Sequence, residues 1–179
     1  MSHFSRILST ERLYLRRLVL SDLAFLTRLH QDPEVMRHIG PVSSREEVSK
    51  RLLKILKDYE SHPGLGVWMA CILETGDRIG WACLKDLDGT ENIEVGYRLT
   101  QQHWGHGYAT ELCRSLLHYG FTEKELSVIC GITRVENIAS RRVLEKCGLK
   151  FQRIAHYYHS DVLFFELHWL EYEKIGLKS

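Results

Sequence analysis

Apolar positions along this chain switch between two repeats. Leu13, Leu15 and Leu18 alternate with Arg12, Tyr14, Arg16 and Arg17, which predicts a strand with one buried face. Helical signals follow at once: Ser21 and Asp22 can cap a helix through Leu23, Leu26 and Leu29, and Asp32-Pro33-Glu34 can open a short second one through Val35 and Met36. Gly40-Pro41 ends that pair. Ser44 and Glu47 have capping-box spacing, and Val48, Leu52, Ile55, Leu56 and Tyr59 then recur at helical intervals as far as His62-Pro63-Gly64.

The second half begins with strand formers. Residues 67–73 and 78–84 predict two strands joined by Glu74-Thr75-Gly76-Asp77, a turn of hairpin length, and residues 93–99 predict a third. A glycine-bearing loop, residues 100–107, leads into a helix with Ala109, Leu112, Cys113, Leu116 and Leu117 on its apolar face. A strand over 127–133, a helix over 138–147 ended by Gly148, a strand from Phe151 and a last one over 162–170 complete the chain. Trp68, Trp81 and Trp169 fall in these strand segments, where aromatic rings fill cores. Hairpins early and a β-α-β crossover later predict an α/β fold, with one central mixed, mostly antiparallel sheet flanked by helices on both faces.

Composition narrows the class. With 179 residues, 44% hydrophobic, 26% charged and 3 prolines, residues 1–179 read as a single domain with its core over about 10–172. Lys plus Arg (24) nearly balances Asp plus Glu (23), so no field exists for wrapping nucleic acid or coating a membrane, although local basic clusters can still hold phosphate. Cys71, Cys83, Cys113, Cys130 and Cys147 are odd in number and set among apolar residues, which predicts reduced core thiols. No signal-peptide layout or apolar run of membrane-spanning length is present, so a cytoplasmic location is expected.

Chemistry concentrates in Gln102-His103-Trp104-Gly105-His106-Gly107, between a predicted strand and a predicted helix start. Glycines there let backbone amides approach a ligand, and the helix N-terminus presents unpaired N–H groups suited to a pyrophosphate. A bare G-x-G can equally just shape the turn. Neither the P-loop spacing nor a third glycine for the dinucleotide fingerprint is present. His103 and His106 have no Cys or carboxylate nearby to complete a ligand set, so no metal is expected.

Gln102-x-x-Gly105-x-Gly107-Tyr108-Ala109 resembles the Q/R-x-x-G-x-G/A signature of the GNAT superfamily of acetyl-CoA-dependent N-acetyltransferases. Glu94-Val95-Gly96-Tyr97-Arg98-Leu99 is similar to the strand before that signature. Val135-Glu136-Asn137-Ile138-Ala139-Ser140 and Val143-Leu144-Glu145-Lys146-Cys147-Gly148-Leu149 resemble the family's second motif. The opening Thr10-Glu11-Arg12-Leu13-Tyr14-Leu15-Arg16, with Asp22, resembles the subgroup of ribosomal-protein N-terminal (Rim-type) acetyltransferases.

The resemblance implies the acyl-CoA N-acyltransferase fold and acetyl-CoA as co-substrate. It places the backbone of Tyr97, Arg98 and Leu99 against the pantetheine arm. The pyrophosphate falls to the amides around Gln102, Gly105, His106, Gly107, Tyr108 and Ala109, with the Thr110 hydroxyl beside them. Asn137 and Ser140 fall where the family makes polar cofactor contacts, though Asn137 could equally cap the following helix. A neutral amine must attack the thioester, and Glu94 is the candidate base. Ser140 is the first choice of proton donor to the CoA thiolate, a role that many relatives give to a tyrosine past the second motif; Tyr157 and Tyr158 follow it here. Arg141, Arg142 and Lys146 could reach the 3′-phosphate or simply form a solvated helix face, and Cys113 and Cys147 read as core, so transfer should be direct.

The acceptor is expected to be a protein N-terminus or a small amine. The alternative function is a non-catalytic acetyl-CoA-binding sensor or scaffold. Pairing into a homodimer is left open by the sequence.

Overall fold

The computed structural model describes residues 6–176. Its strands are β1 (Arg6–Ser9), β2 (Leu13–Arg17), β3 (Gly66–Ile72), β4 (Arg78–Asp86), β5 (Ile93–Leu99), β6 (Val128–Thr133), β7 (Lys150–Tyr157) and β8 (Ser160–His168). Its helices are α1 (Leu23–Gln31), α2 (Pro33–Met36), α3 (Arg45–Ser61), α4 (Tyr108–Thr122), α5 (Ile138–Lys146) and α6 (Trp169–Ile175). All eight strands join one sheet in the order β1-β2-β3-β4-β5-β6-β8-β7, antiparallel at every junction except β5–β6. The mixed, mostly antiparallel sheet between helical layers is thus the architecture that the pattern of elements predicts.

Alternation along each strand sorts the core into two layers. Val67, Met69, Cys71 and Cys83 face α1 and α3, meeting Leu26, Leu29, Val48 and Leu52. Their neighbours Trp68, Ala70, Ala82 and Leu84 face the other way, onto Leu112, Cys113, Leu116 and Leu117 of α4. All five cysteines are buried and free, as their apolar surroundings predict.

Local chemistry sets the helix starts. Ser44 Oγ accepts from Glu47 N at 3.2 Å while Glu47 Oε2 accepts from Ser44 N at 2.7 Å, the reciprocal cap expected for α3. Asp32 Oδ1 accepts from Glu34 N and Val35 N and starts α2. Asp22 departs from expectation: it stands at the start of α1 but makes no side-chain cap bond to that helix. Its carboxylate instead forms a two-point buried pair with Arg16 at 2.8 Å and accepts from Val19 N at 2.9 Å, because burial demands a counter-charge more than a helix end demands a cap.

Two elements differ from the sequence pattern. β1 adds a strand that short, non-alternating residues conceal, and it pairs antiparallel with β2. The last predicted strand stops at His168, so Trp169 and Leu170 belong to α6. Trp169 and Tyr172, three residues apart, both pack on Phe121, and helical spacing is what lets them do so.

One junction shapes everything functional. β4 and β5 pair over seven positions, from Gly80↔Leu99 to Asp86↔Ile93, whereas β5 and β6 register only at Glu94↔Cys130. Beyond Glu94 these parallel strands part, and a notch opens in the middle of the sheet.

Candidate functional site

A cavity of about 490 Å³ runs through that notch. Glu94, Gly96 and Arg98 project to the α1–α3 side of β5, and Val95 and Tyr97 to the α4–α5 side, yet all five line the same cavity because the sheet is open between them. Asn137, the cap of α5, and Ser140 in its first turn reach it from one layer, and His30 and Arg51 from the other.

Glu94 is buried, and it sits directly across the β4–β5 ladder from Lys85. Lys85 Nζ donates to Glu94 Oε1, and the Tyr158 hydroxyl donates to the same oxygen at 2.5 Å. Both bonds land on Oε1, and Oε2 accepts no hydrogen bond among the described residues. Burial opposes the Lys85 charge, but Cys83, Glu94 and Tyr158 outweigh it and raise its pKa. Burial and the Glu94 charge push the Tyr158 phenol up to about 12, which keeps it protonated. The positive φ values of Tyr158 and His159 belong to the two-residue turn between β7 and β8, which swings the Tyr158 ring back over Asp88 and Glu94.

Ser140 lies in the first turn of α5. Its Oγ is 3.2 Å from the Tyr97 hydroxyl, and its amide donates to Asn137 Oδ1 at 3.1 Å. Asn137 therefore caps α5 in this structure, one of the two roles open to it. Burial raises the Tyr97 pKa strongly, so that phenol also stays protonated.

The loop before α4 has the conformation its glycines allow: Gly105 has φ 78° and Gly107 φ 81°. A Cβ on Gly105 would meet nothing within 4 Å, so the backbone here is open to a ligand. The first α4 amide to bond inside the helix is Glu111 N, to Gly107 O, and the amides of Tyr108, Ala109 and Thr110 lie ahead of that ladder. His106 Nδ1 pairs with Trp104 O and His103 Nδ1 with the Thr100 hydroxyl, so both imidazoles serve their own loop. Among the described residues no cluster of three or more possible metal ligands occurs. Trp104 Nε1 donates to Leu99 O at 2.9 Å and ties the loop to the end of β5.

A clamp fixes this helix start. Glu111 accepts from the Thr10 hydroxyl, from Arg12 N at 2.9 Å and from Arg12 Nε at 2.7 Å, while Arg12 Nη1 donates to His106 O at 3.0 Å. Gln102 stands apart from the cavity, on the wall of a separate hollow with Asp77 and Arg78. Arg141 is paired with Glu145 along α5.

Residues 12–150 match the family model described as an acetyltransferase (GNAT) domain. The chain belongs to the GNAT acetyltransferase family. This GNAT chain is 34% identical over 152 residues to the FsC-acetyl coenzyme A-N(2)-transacetylase of Aspergillus fumigatus, covering 79% of the chain and 64% of that relative. Its fold matches the acetyltransferase of Agrobacterium tumefaciens str. C58 with TM-score 0.81 at 24% identity, over 94% of this chain and 96% of the other. It also matches the spermidine N-acetyltransferase of Vibrio cholerae, solved with CoA and spermine, with TM-score 0.76 at 22% identity, over 92% and 99% of the two chains.

Sequence reasoning missed several residues that line this cavity. Lys85 was legible in principle, since two strands joined by a short turn set it across from Glu94. His30 and Arg51 carried no signal, because nothing local says that two helices of the first half lean over β5.

Proposed function

We propose that this chain is an N-acetyltransferase that moves the acetyl group of acetyl-CoA directly to an amine. The observation that carries the reading is the notch: one cavity holds a buried carboxylate and a hydroxyl pair beside an unpaired edge of β5, a short distance in sequence from an open helix N-terminus. Around the notch, the backbone of Tyr97, Arg98 and Leu99 offers strand-like pairing to the pantetheine arm, and the amides from Gly105 to Thr110 suit its pyrophosphate. The Leu99 carbonyl already holds Trp104, so its share of that pairing falls on the other backbone groups. When bound, acetyl-CoA supplies a thioester open to attack by an amine.

The protein then has to manage two protons. An alkylamine is mostly ammonium at neutral pH, and Glu94, whose Oε1 is already engaged, removes its proton through Oε2 directly or through a water. Ser140 Oγ gives a proton to the departing thiolate, and the Tyr97 hydroxyl beside it can restore that proton. No cysteine is needed. The acceptor is either a protein N-terminus, as the Rim-type resemblance suggests, or a small amine, as the spermidine enzyme's name indicates for that neighbour.

Calorimetric titration with acetyl-CoA, followed by thiol release in the presence of amines and N-terminal peptides, tests this. Saturable heat and acceptor-dependent thiol are expected. Absence of heat overturns the reading. Heat without thiol release from any acceptor favours a sensor, in which Lys85 and Tyr158 hold Glu94 permanently out of use.

A further inference from the structure

Positive charge collects at the α1–α3 end of the cavity, and acyl transfer has no use for it. Arg51 Nη1 and Arg98 Nη1 both stand against His30 Nδ1, at 3.2 and 3.3 Å, and Trp81 Nε1 approaches His30 Nε2 at 3.4 Å. Burial, then the Arg98 and Arg51 charges, push His30 down to about 3, so the ring is neutral at physiological pH. A neutral imidazole offers one lone pair. Three donors thus crowd one acceptor, and two guanidinium groups are held near each other with no carboxylate paired to either among the described residues.

Their other partners carry no charge either. Arg51 Nη2 donates to the Ser43 hydroxyl at 2.7 Å, Arg98 Nη1 lies 3.4 Å from the Met36 sulfur, and the Arg98 guanidinium stacks 4.9 Å from the Trp81 ring. Arg98 Nε is buried without a partner among the described residues. Burial and the Arg51 charge hold Arg98 down at about 10. A third arginine on the wall, Arg134, donates to Ile39 O and to the Ser160 hydroxyl. Against these, the cavity lining contains one acid, Glu94, and Lys85 neutralises it.

We propose that this end of the cavity is an oxyanion subsite, so that the amine acetylated here also carries a carboxylate or phosphate, held between Arg51 and Arg98. The inference rests on the N-acetyltransferase reading and names its acceptor class. Like charges this close repel, and an oxyanion relieves that repulsion while using the surplus N–H groups. Guanidinium forks match the paired oxygens of either group. Glu94 and Arg98 lie on one face of β5 with Gly96 between them, about 13 Å apart along a strand. An acceptor laid along this face presents its amine towards Glu94 and its anion towards Arg98. A polycation would add charge to a wall that is already positive.

The test uses matched probes: 6-aminohexanoate against its carboxamide, phosphoethanolamine against ethanolamine, and spermidine. Each is titrated calorimetrically into the protein without acetyl-CoA, and each is then assayed for thiol release. We expect the anionic member of a pair to bind and react at least about tenfold better than the neutral one, and the pair that shows it identifies carboxylate or phosphate. Arg51→Met and Arg98→Met should each erase that preference. Arg51 is exposed on α3, so its variant serves even where Arg98→Met does not fold, and unchanged acetyl-CoA binding by Arg51→Met shows that variant's fold intact. Equal or better binding of the neutral probes or spermidine, or a preference that survives Arg51→Met, overturns the subsite. Failure to bind acetyl-CoA would instead remove the enzymatic reading, and the probe titrations made without it would still decide the subsite.

Discussion

Glu94 has a structural role and, under the proposed function, a chemical one as well. Its Oε1 holds Lys85 and Tyr158, and its Oε2 is the oxygen proposed to serve the reaction. Glu94→Gln should lower thiol release about 10²-fold, the lower end of what a positioned base contributes. It also strands the Lys85 charge, so the midpoint of unfolding should fall. The double variant Glu94→Gln, Lys85→Met should recover stability in urea titrations and not recover rate; recovery of both would show that Glu94 is only a counter-ion. Asp22 serves structure alone. Burial by itself would raise its pKa, but the hydrogen bonds from Arg16 and Val19 N, with Arg78 nearby, outweigh it and hold it below the usual carboxylate range. A carboxylate depressed in the native state stabilises fully above its unfolded pKa of about 3.9, and that stability is lost as pH falls through the native value. Asp22→Asn leaves Arg16 buried without its counter-charge and should cost about 3–5 kcal/mol at pH 7. Urea unfolding at pH 7 and pH 3 should show the wild type losing its advantage over the variant on acidification.

At the level of elements, the loop before α4 separates a conformational demand from a functional one. Gly105 has positive φ and open space beyond its Cα, so Gly105→Ala meets no clash among the described residues. The left-handed backbone should cost about 1–2 kcal/mol of stability. Under the proposed function this surface approaches a pyrophosphate, so a methyl group there should cost more, and we expect acetyl-CoA affinity to fall about tenfold or further by calorimetry. A loss of stability with unchanged affinity would mean that the glycine only shapes the turn. The loop and helix start were legible from the sequence because both depend on local dihedrals and helix ends. The reciprocal cap of α3 was legible for the same reason. The α6 helix was not: residues 162–170 are continuously strand-like in composition, and the switch at Trp169 is decided by Phe121, nearly fifty residues earlier in the chain.

On the scale of the whole molecule, distant segments fix the geometry of the site. Thr10 and Arg12, at the entrance to β2, hold Glu111 and the His106 carbonyl at the start of α4. Arg12 is partly exposed, so Arg12→Ala should cost under about 1 kcal/mol of stability. Release of the loop should nonetheless weaken acetyl-CoA binding several-fold in the same calorimetric assay. Retained affinity would assign the clamp to folding alone. By itself the sequence determined the alternation of strands and helices, the glycine loop at a helix start and the residues that mark the family, because period, capping and turn chemistry act over a few residues. Only the tertiary structure decided that β5 and β6 part after Glu94, that Lys85 and Tyr158 share one carboxylate oxygen, and that His30, Arg51 and Arg98 meet above the strand. Those arrangements depend on the packing of two helical layers against the two faces of one sheet, and no local pattern encodes the distance between layers.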